Sequence, residues 1–399
     1  MRELFIYNVN VFTENGWINN GAIWIENDKI KEIIRGQQSF HFLSEDCLIM
    51  DGENLRAIPG FIDSHIHGAS GYDVMDGTNK ALSTIASVLP QEGTTRFLAT
   101  TMTASKNDMN QVLKTIGSYE HTAGEAYLEG VHVEGPFIAK ERAGAQPVET
   151  IIPPDPNLLT YWQEVSQSKI KTITIAPELD DNFSCIKRAV DLGINVSAGH
   201  TNATYEVMKQ AVKKGLTQVT HLCNAMPSIH HRDVGVIGAV CKLESLFAEL
   251  IVDGIHVSND MIELLVQLID IEQIILITDG MRAKYMRPGI YDLGGQSVQV
   301  TESSEARLPT GSLAGSIVKM NEAAKRMSEI KGVSWEDVIK MTSYNPSIQL
   351  GIADKTGTLR EGKIADIILV DHTFEVYTTI CQGYIAHNKL DINRTLSNE

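Results

Sequence analysis

The chain has 399 residues and carries 34 lysines and arginines against 50 aspartates and glutamates, a formal net charge of -16. This acidic balance, without a Lys/Arg-rich run, argues against nucleic acid and an anionic membrane surface as partners. With 43% hydrophobic and 21% charged residues, the composition is that of a folded globular protein, and the length predicts one large domain with a smaller one.

Cysteine usage and the N-terminus predict a cytoplasmic protein. The cysteines are odd in number, scattered and without a C-x-x-C pair, which favours a reduced compartment over a disulfide framework. The N-terminus meets polar residues before an apolar signal segment could form, and no later run reaches the roughly 18 apolar residues of a membrane helix. The cysteines are Cys47, Cys185, Cys223, Cys241 and Cys381.

Short strands open the chain, up to about residue 57. Residues 4–7 and 22–25 are apolar runs of strand length, with turn signals between and after them. This unit is too small to have a core of its own. From Ile58 onward, apolar runs of strand length alternate with segments of helical period. The runs cover residues 61–65, 95–100, 128–133, 173–176, 195–198, 218–222, 248–252 and 274–278.

This alternation predicts an α/β fold, a (β/α)8 TIM barrel, because eight strand-and-helix units over about 270 residues have its count and size. The segment from Ala203 to Lys214 has one of the clearest helical patterns, with Gly215 at its expected C-cap. A doubly wound open sheet is the alternative. No glycine-rich phosphate loop follows the first strand, which disfavours it.

The C-terminal part returns to strands after two predicted helices, at residues 316–330 and 335–342. Its clearest strand covers residues 365–370. Because neither chain end is large enough to fold alone, we expect residues 1–57 and 358–399 to pair into one composite β-sandwich. It would flank a barrel formed by residues 58–357.

Polar side chains stand at the predicted C-terminal ends of five barrel strands, where TIM-barrel active sites lie. His65 and His67 share one side of the first strand, because residues two apart on a strand do so. Each candidate alone has an ordinary alternative, such as a solvated histidine, a salt-bridged carboxylate or a helix cap. Together they predict a divalent metal, since imidazole and carboxylate without thiolate suit zinc, iron, manganese or cobalt. The candidates are His65, His67, Glu134, His200, His221 and Asp279.

Beyond these single residues, the chain resembles the amidohydrolase superfamily and, within it, the N-acetylglucosamine-6-phosphate deacetylases. The H-x-H motif is generic to the superfamily, whereas the Glu-Gly-Pro and His-Leu-x-Asn-Ala-Met motifs are specific to the deacetylases. The matching segments span nearly the whole chain in the family's order. They are residues 59–68, 132–137, 199–201, 220–226, 230–235, 253–256, 278–281 and 313–316.

The resemblance implies a role for individual residues within these segments and around them. Glu134, His200 and His221 would hold one divalent metal. His65 and His67 would hold a second, with Glu134 or Asp279 near both, and Asp279 would be the general acid/base. We expect one or two ions per subunit, zinc or iron, with manganese or cobalt as alternatives. The implied substrate contacts are Ala145, Gln146, Asn224, Ala225, Arg232, His256, Leu313, Ala314 and Gly315.

Two positions depart from the family pattern. Many relatives have histidine where this chain has Gln146, and a neutral amide polarises a carbonyl less strongly. We hypothesise that a second metal at His65 and His67 takes over that role. The other departure is Gly280, where relatives often have alanine or serine; we expect it only to loosen the local backbone.

The expected reaction is hydrolysis of N-acetyl-D-glucosamine 6-phosphate to D-glucosamine 6-phosphate and acetate in amino-sugar catabolism, by a homodimer whose partner is this small phosphosugar. One alternative is a deacetylase of an epimeric N-acetylhexosamine phosphate, of galactosamine or mannosamine type. Another is a cyclic amidase. Such enzymes usually carry a carboxylated lysine after strand four, where this chain has Ala176-Pro177-Glu178. A metal-free scaffold for protein interaction is the non-enzyme alternative.

Overall fold

The computed structural model describes residues 2–36, 43–44 and 46–393, and it is built around a barrel of parallel strands. Eight strands lie side by side in chain order, each parallel to its neighbour. The expected (β/α)8 barrel is thereby confirmed. The first to eighth barrel strands are Phe61–Ile66, Thr94–Thr101, Tyr127–Glu134, Ile170–Ile175, Asn195–Ala198, Leu216–Val219, Phe247–Ile251 and Ile274–Ile277.

Hydrogen bonds between the first strand and the residues that directly follow the eighth strand close the barrel. The buried Asp63 carboxylate accepts from the backbone N–H of Thr278 at 3.2 Å and from its hydroxyl at 2.5 Å. One residue further along, the N–H of Asp279 donates to the carbonyl of His65 at 2.9 Å. Closure therefore places Asp279 beside the H-x-H motif.

A helix follows each barrel strand and covers it with an apolar face. The predicted helix at residues 203–214 begins at Tyr205, after Thr204 accepts from the N–H of Val207 at 3.3 Å. Its buried side, Met208 and Ala211, faces the barrel core. The eight helices are Asn79–Val88, Lys106–Gly117, Pro156–Val165, Ser184–Asp191, Tyr205–Val212, Gly235–Val240, Asn259–Leu268 and Met320–Ser328.

The helix expected from residue 316 begins at Met320, because Ser316 is used elsewhere. The N–H of Ser316 donates to the carbonyl of Asp279 at 2.8 Å, and its hydroxyl donates to the carbonyl of Thr278. The helix expected at 335–342 is Trp335–Ile339, followed by a π-helical turn and a last helix, Asn345–Gln349.

Both chain ends contribute to one nine-stranded sheet, as expected from their size. Arg56–Pro59 pairs with Ile367–Val370, so the N- and C-terminal segments meet at the centre of this sheet. The domain boundaries at 57/58 and 357/358 stay a prediction, and residues 1, 37–42, 45 and 394–399 of these ranges lie outside the described residues. The strands are Glu3–Thr13, Gly16–Glu26, Lys29–Ile34, Leu48–Asp51, Arg56–Pro59, Ile367–Val370, Val376–Cys381, Tyr384–Asn388 and Ile392–Asn393.

A buried ion pair joins this sheet to the barrel. The Arg96 guanidinium, on the second barrel strand, contacts Glu129 on the third strand and Asp366 of the C-terminal segment, both at 2.6 Å. The Trp335 ring stacks on Phe374 with their centroids 3.9 Å apart. Within the described parts of the chain, no helix combines the length and the hydropathy that crossing a bilayer requires.

A small antiparallel sheet between the eighth strand and its helix was not predicted. Its strands are Gly289–Leu293, Gln296–Val300 and Ala306–Arg307. Gly294 and Gly295 form the two-residue turn, and both have positive φ, 58° and 80°. A Gly-Gly pair between two runs of strand length is the sequence signal of such a hairpin.

Candidate active site

The first group of polar residues at the barrel mouth consists of Glu134, His200 and His221. Glu134 is the last residue of the third strand, and both histidines follow their strands by two residues. The Oε1 atom of Glu134 lies 3.1 Å from Nε2 of each histidine, and these two nitrogens are 3.1 Å apart. All three side chains are buried. The structure thus brings together the three residues expected to share one metal.

The second group, His65, His67 and Asp279, shares Glu134 with the first. The Nε2 atoms of the two histidines lie 3.5 and 3.2 Å from Oδ1 of Asp279 and 3.4 Å from each other. His67 also lies 3.3 Å from Oε2 of Glu134, and His65 lies 3.6 Å from its Oε1. All the candidates at the barrel mouth therefore form one continuous cluster around Glu134 and Asp279.

Three members of the cluster have backbone in the left-handed region, which costs of order 1–3 kcal/mol per residue. The φ angles are 48° at His200, 30° at His221 and 48° at Asp279. Backbone hydrogen bonds hold them there. The carbonyl of His200 accepts from Ala139 at 2.8 Å, and that of Asp279 accepts from Ser316 at 2.8 Å. The fold thus maintains an unfavourable backbone so that these side chains converge.

A fully buried carboxylate orients the cluster from below. Glu249, on the seventh strand, accepts from Nδ1 of His65 at 2.9 Å and from the N–H of His221 at 3.3 Å. Because a carboxylate can only accept here, Nδ1 of His65 carries a proton, and this contact turns its Nε2 toward Glu134 and Asp279. Glu249 was not predicted as a site residue. A glutamate within an apolar strand was the available signal.

His132 is another buried titratable residue that sequence reasoning left out of the site. Its ring stands edge-on to that of His65, with the centroids 4.5 Å apart, and its Nε2 lies 2.7 Å from Thr174 Oγ1. Burial, followed by the charge of His65, holds the pKa of His132 well below its usual range, so this ring is neutral. The sequence signal that could have found His132 was its place two residues before Glu134, which puts both side chains on the same face of the strand.

The charged groups of the cluster shift one another's pKa values. Burial alone would lower the pKa of His65, but Glu134, Glu249 and Asp279 raise it to about 9. Burial likewise opposes protonation of His67, whose pKa Asp279 and Glu134 nevertheless hold well above its usual range. Burial would raise the pKa of Asp279, yet His65 and His67 lower it to about 2. Asp279 is therefore ionised at neutral pH.

Gln146 is directly bonded to the cluster. Its Oε1 accepts from the N–H of Thr103 at 2.7 Å, which leaves its amide NH2 to donate to Oε2 of Glu134 at 2.6 Å. Gly280, the other departure from the family pattern, lies in a tight space. A Cβ there would be 3.0 Å from Lys284 Cδ and from Thr278 Oγ1. A glycine is therefore the residue that fits this closely packed position. Only a looser backbone was expected there from the sequence.

The cluster opens into a cavity of about 280 Å³. On one side of it, His256 donates Nδ1–H to Asp253 Oδ2 at 2.6 Å, and the N–H of His256 donates to Oδ1 at 2.8 Å. These contacts fix the orientation of the His256 ring. The lining residues are His67, Met102, Glu134, Gly144, Ala145, Gln146, His200, His221, Asn224, Ala225, His256, Asp279, Leu293, Ser312, Leu313 and Gly315.

Two of the expected substrate contacts lie outside this lining. Ala314 is fully buried in the apolar cluster behind the cavity wall. Arg232 is exposed, and its Nη1 lies 2.7 Å from Nε2 of His231. Met102, Gly144, Leu293 and Ser312 line the cavity but were not predicted. None of these four side chains is titratable, so the sequence offered no chemical signal for them.

Comparisons with known proteins show the family to which the chain belongs. Residues 56–386 match the model of the amidohydrolase family. An N-acetylglucosamine-6-phosphate deacetylase from Lysinibacillus sphaericus is 43% identical over 384 residues, which cover 96% of this chain and 97% of that protein. An N-acetylgalactosamine-6-phosphate deacetylase from Escherichia coli O157:H7 is 31% identical, with 94% and 97% covered.

A solved structure is also similar. It is a mutant N-acetyl-D-glucosamine-6-phosphate deacetylase from Mycobacterium smegmatis in complex with N-acetyl-D-glucosamine-6-phosphate. It is 26% identical, with a TM-score of 0.88, and the match covers 97% of this chain and 100% of that chain. The chain therefore belongs to the amidohydrolase family and, within it, to the N-acetylglucosamine-6-phosphate deacetylases.

Proposed function

We propose that this protein hydrolyses N-acetyl-D-glucosamine 6-phosphate to D-glucosamine 6-phosphate and acetate. The observation that carries the proposal is the pair of histidine–carboxylate groups around Glu134, with the ionised Asp279 facing the same cavity. The names of the relatives support the substrate. An acetamide is a poor electrophile with a poor amine leaving group, so the site must activate water and supply a proton to the nitrogen.

The donor set fits a divalent metal. Nε2 atoms of His200 and His221 lie 3.1 Å apart and converge on one oxygen of Glu134. At most one proton fits between two such nitrogens, whereas one cation would satisfy both lone pairs and the carboxylate. We propose Glu134, His200 and His221 as ligands of one ion, and His65 and His67 with Glu134 or Asp279 as ligands of a second. Zinc or iron suits these ligands, as manganese or cobalt also does.

A divalent metal held by these ligands supplies Lewis acidity, which lowers the pKa of water toward about 7 and polarises the acetyl carbonyl. Asp279 does the proton work in this proposal. Its ionised carboxylate accepts the proton of the attacking water and delivers it to the amide nitrogen as the C–N bond breaks. Such general acid–base catalysis contributes about 10²–10⁴ in rate. The backbone bonds from Asp279 to His65 and Ser316 keep the carboxylate in place.

Gln146 takes the position at which many relatives have histidine. Because its amide oxygen is held by Thr103, it offers only N–H groups toward Glu134 and the cavity. A neutral amide is a weak polariser of a carbonyl, so we propose that the His65 and His67 site carries that role in this chain.

The sugar and its phosphate would contact the side of the cavity formed by Asn224, Ala225 and His256, together with Ala145, Leu313 and Gly315. Arg232 is proposed to bind the phosphate, because a planar guanidinium matches phosphate oxygens in a bidentate manner. Its exposure agrees with a phosphate group that reaches the cavity mouth. A net charge of -16 leaves recognition of this anionic substrate to such short-range groups.

We further propose a homodimer in the cytoplasm. The family resemblance supports the dimer, and the five unpaired cysteines support a reducing compartment. Light scattering coupled to size exclusion measures the subunit count, and subcellular fractionation measures the location.

The experiment that tests the function is acetate release from a panel of N-acetylhexosamine phosphates, run beside elemental analysis of the same preparation. We expect the gluco substrate to give the highest kcat/KM, with one or two transition-metal ions per chain. A higher value for the galacto epimer would favour the epimeric alternative, which the E. coli relative represents. No acetate from any substrate and no bound metal would support the scaffold alternative instead.

A further inference from the structure

The cavity has an apolar side that the proposed chemistry leaves unexplained. Met102 directly follows the second barrel strand, whereas Asn224 and Ala225 follow the sixth. Strands two and six stand four apart in an eight-stranded barrel, on opposite sides of its axis. The polar wall, which includes Asn224, and the apolar wall, which includes Met102, therefore begin on opposite sides of the barrel, and both line the cavity that holds the His/Glu/Asp cluster.

Leu293, from the unpredicted hairpin, completes the apolar wall. Met102 and Leu293 are buried and belong to one apolar cluster, with Ala145 packed on it. The hairpin turn packs close to Met102, since a Cβ built on Gly294 would lie 3.2 Å from its Cε. On the other strand of the hairpin, Gln296 donates to the carbonyl of Ala145 at 2.6 Å. The wall is thus a fixed surface, anchored to the loop that carries Gln146.

This wall lies next to the reacting centre. Thr103, the neighbour of Met102, donates its N–H to Gln146, which donates to Glu134. A substrate whose sugar occupies the polar side and whose carbonyl faces the cluster directs its acyl chain toward Met102 and Leu293. The cavity of about 280 Å³ is at the lower end of ligand pockets, which leaves little room for a longer chain.

We propose that Met102 and Leu293 form the acyl-chain subsite and restrict the enzyme to short N-acyl groups. This inference rests on the proposed deacetylase function. Water adds to the acyl carbonyl carbon, the C–N bond breaks and the nitrogen takes a proton, so every acyl homologue yields the same amino sugar and a different carboxylate. The length of acyl chain that the enzyme accepts is then set by the depth of the apolar wall and not by the chemistry of hydrolysis.

The test compares N-formyl, N-acetyl, N-propionyl and N-butyryl glucosamine 6-phosphate, with release of the common amine product as the readout. The variants are Leu293→Ala and Met102→Ala. Each should raise the ratio of kcat/KM for propionyl over acetyl about ten-fold or more, the selectivity that one methylene carries in an apolar pocket. Leu293→Phe should lower the same ratio, and it tests the proposal even if an alanine variant fails to fold.

Leu308→Ala is the matched control, because Leu308 is buried in the same apolar cluster but does not line the cavity. It should leave the propionyl-to-acetyl ratio unchanged. An unchanged ratio in the folded Leu293 and Met102 variants would overturn the inference, as would an equal change in the control. If the wild-type chain released amine from none of the four substrates, the deacetylase function itself would fall, which is a distinguishable result.

Discussion

Replacing Glu249 by glutamine should weaken metal retention at His65 while preserving the barrel. The carboxylate fixes the His65 ring by accepting its Nδ1–H at 2.9 Å, and it also accepts from the N–H of His221. Glutamine keeps the shape and one accepting oxygen but removes the negative charge. His65 would then be a less basic ligand, because a neutral acceptor polarises the imidazole less.

The size of the effect follows from the bonds that change. A hydrogen bond to a charged group contributes about 1.5–3 kcal/mol, against about 1 kcal/mol for a neutral one. A difference of about 1.4 kcal/mol is tenfold in affinity. Changes to residues that support metal ligands typically cost about 10–100-fold in metal affinity or activity. We therefore expect a loss of at least about ten-fold in metal affinity.

The surrounding amides can accommodate the new NH2 group. Gln218 now donates to Glu249, and its own Oε1 accepts from Gln349. The Oε1 atom of Gln349 is buried without a partner. The side-chain amides of Gln218 and Gln349 can both flip. The Oε1 atom of Gln218 then accepts from the NH2 group of the new glutamine, and the NH2 group of Gln218 donates to Oε1 of Gln349. The thermal midpoint of Glu249→Gln should thus stay close to that of the wild type.

The assay is competition for the metal against a chelator, with bound metal counted by elemental analysis and deacetylation measured in parallel. Glu129→Gln is the control, since Glu129 is paired with Arg96 on the barrel and does not line the cavity. That variant should lower the thermal midpoint without changing metal affinity. Wild-type metal affinity in Glu249→Gln, or an equal loss in Glu129→Gln, would refute the reasoning.

Four further changes test other parts of the molecule. Asp279→Asn should reduce turnover about 10²–10⁴-fold with metal content retained, and wild-type-like turnover would rule out its proton role. The double variant His65→Ala, His67→Ala should retain one metal per chain and lose activity, whereas full activity with one metal would contradict the role given to the second site. Arg232→Ala should raise KM for the phosphorylated sugar far more than for the unphosphorylated one; equal losses would exclude a phosphate contact. Burial, with two nearby cations, lowers the pKa of His121 to about 4. Because the unfolded chain takes up this proton near pH 6.5, the stability that the neutral ring provides is complete above that pH and is lost as pH falls toward 4. His121→Phe should therefore lose less stability than the wild type over this window in denaturant titrations, and an identical slope would contradict the assignment.

The sequence by itself determined the barrel and the positions of the polar cluster. Apolar runs of strand length separated by helical periods specify eight units, and parallel strands bring their carboxyl ends to one edge. Residues at those ends, such as Glu134 and Asp279, therefore had to converge. The same logic found His200 and His221, because each lies at the carboxyl end of a barrel strand.

Only the tertiary structure decided which groups support that cluster and which apolar residues line the cavity beside it. Glu249 looks like any strand residue until barrel closure places it under His65. Met102 and Leu293 belong to segments far apart in the chain, and they touch the same cavity because the hairpin after the eighth strand folds back over the second. Local sequence pattern encodes periodicity along one segment. Contacts between apolar loops depend on where the whole chain has already placed them.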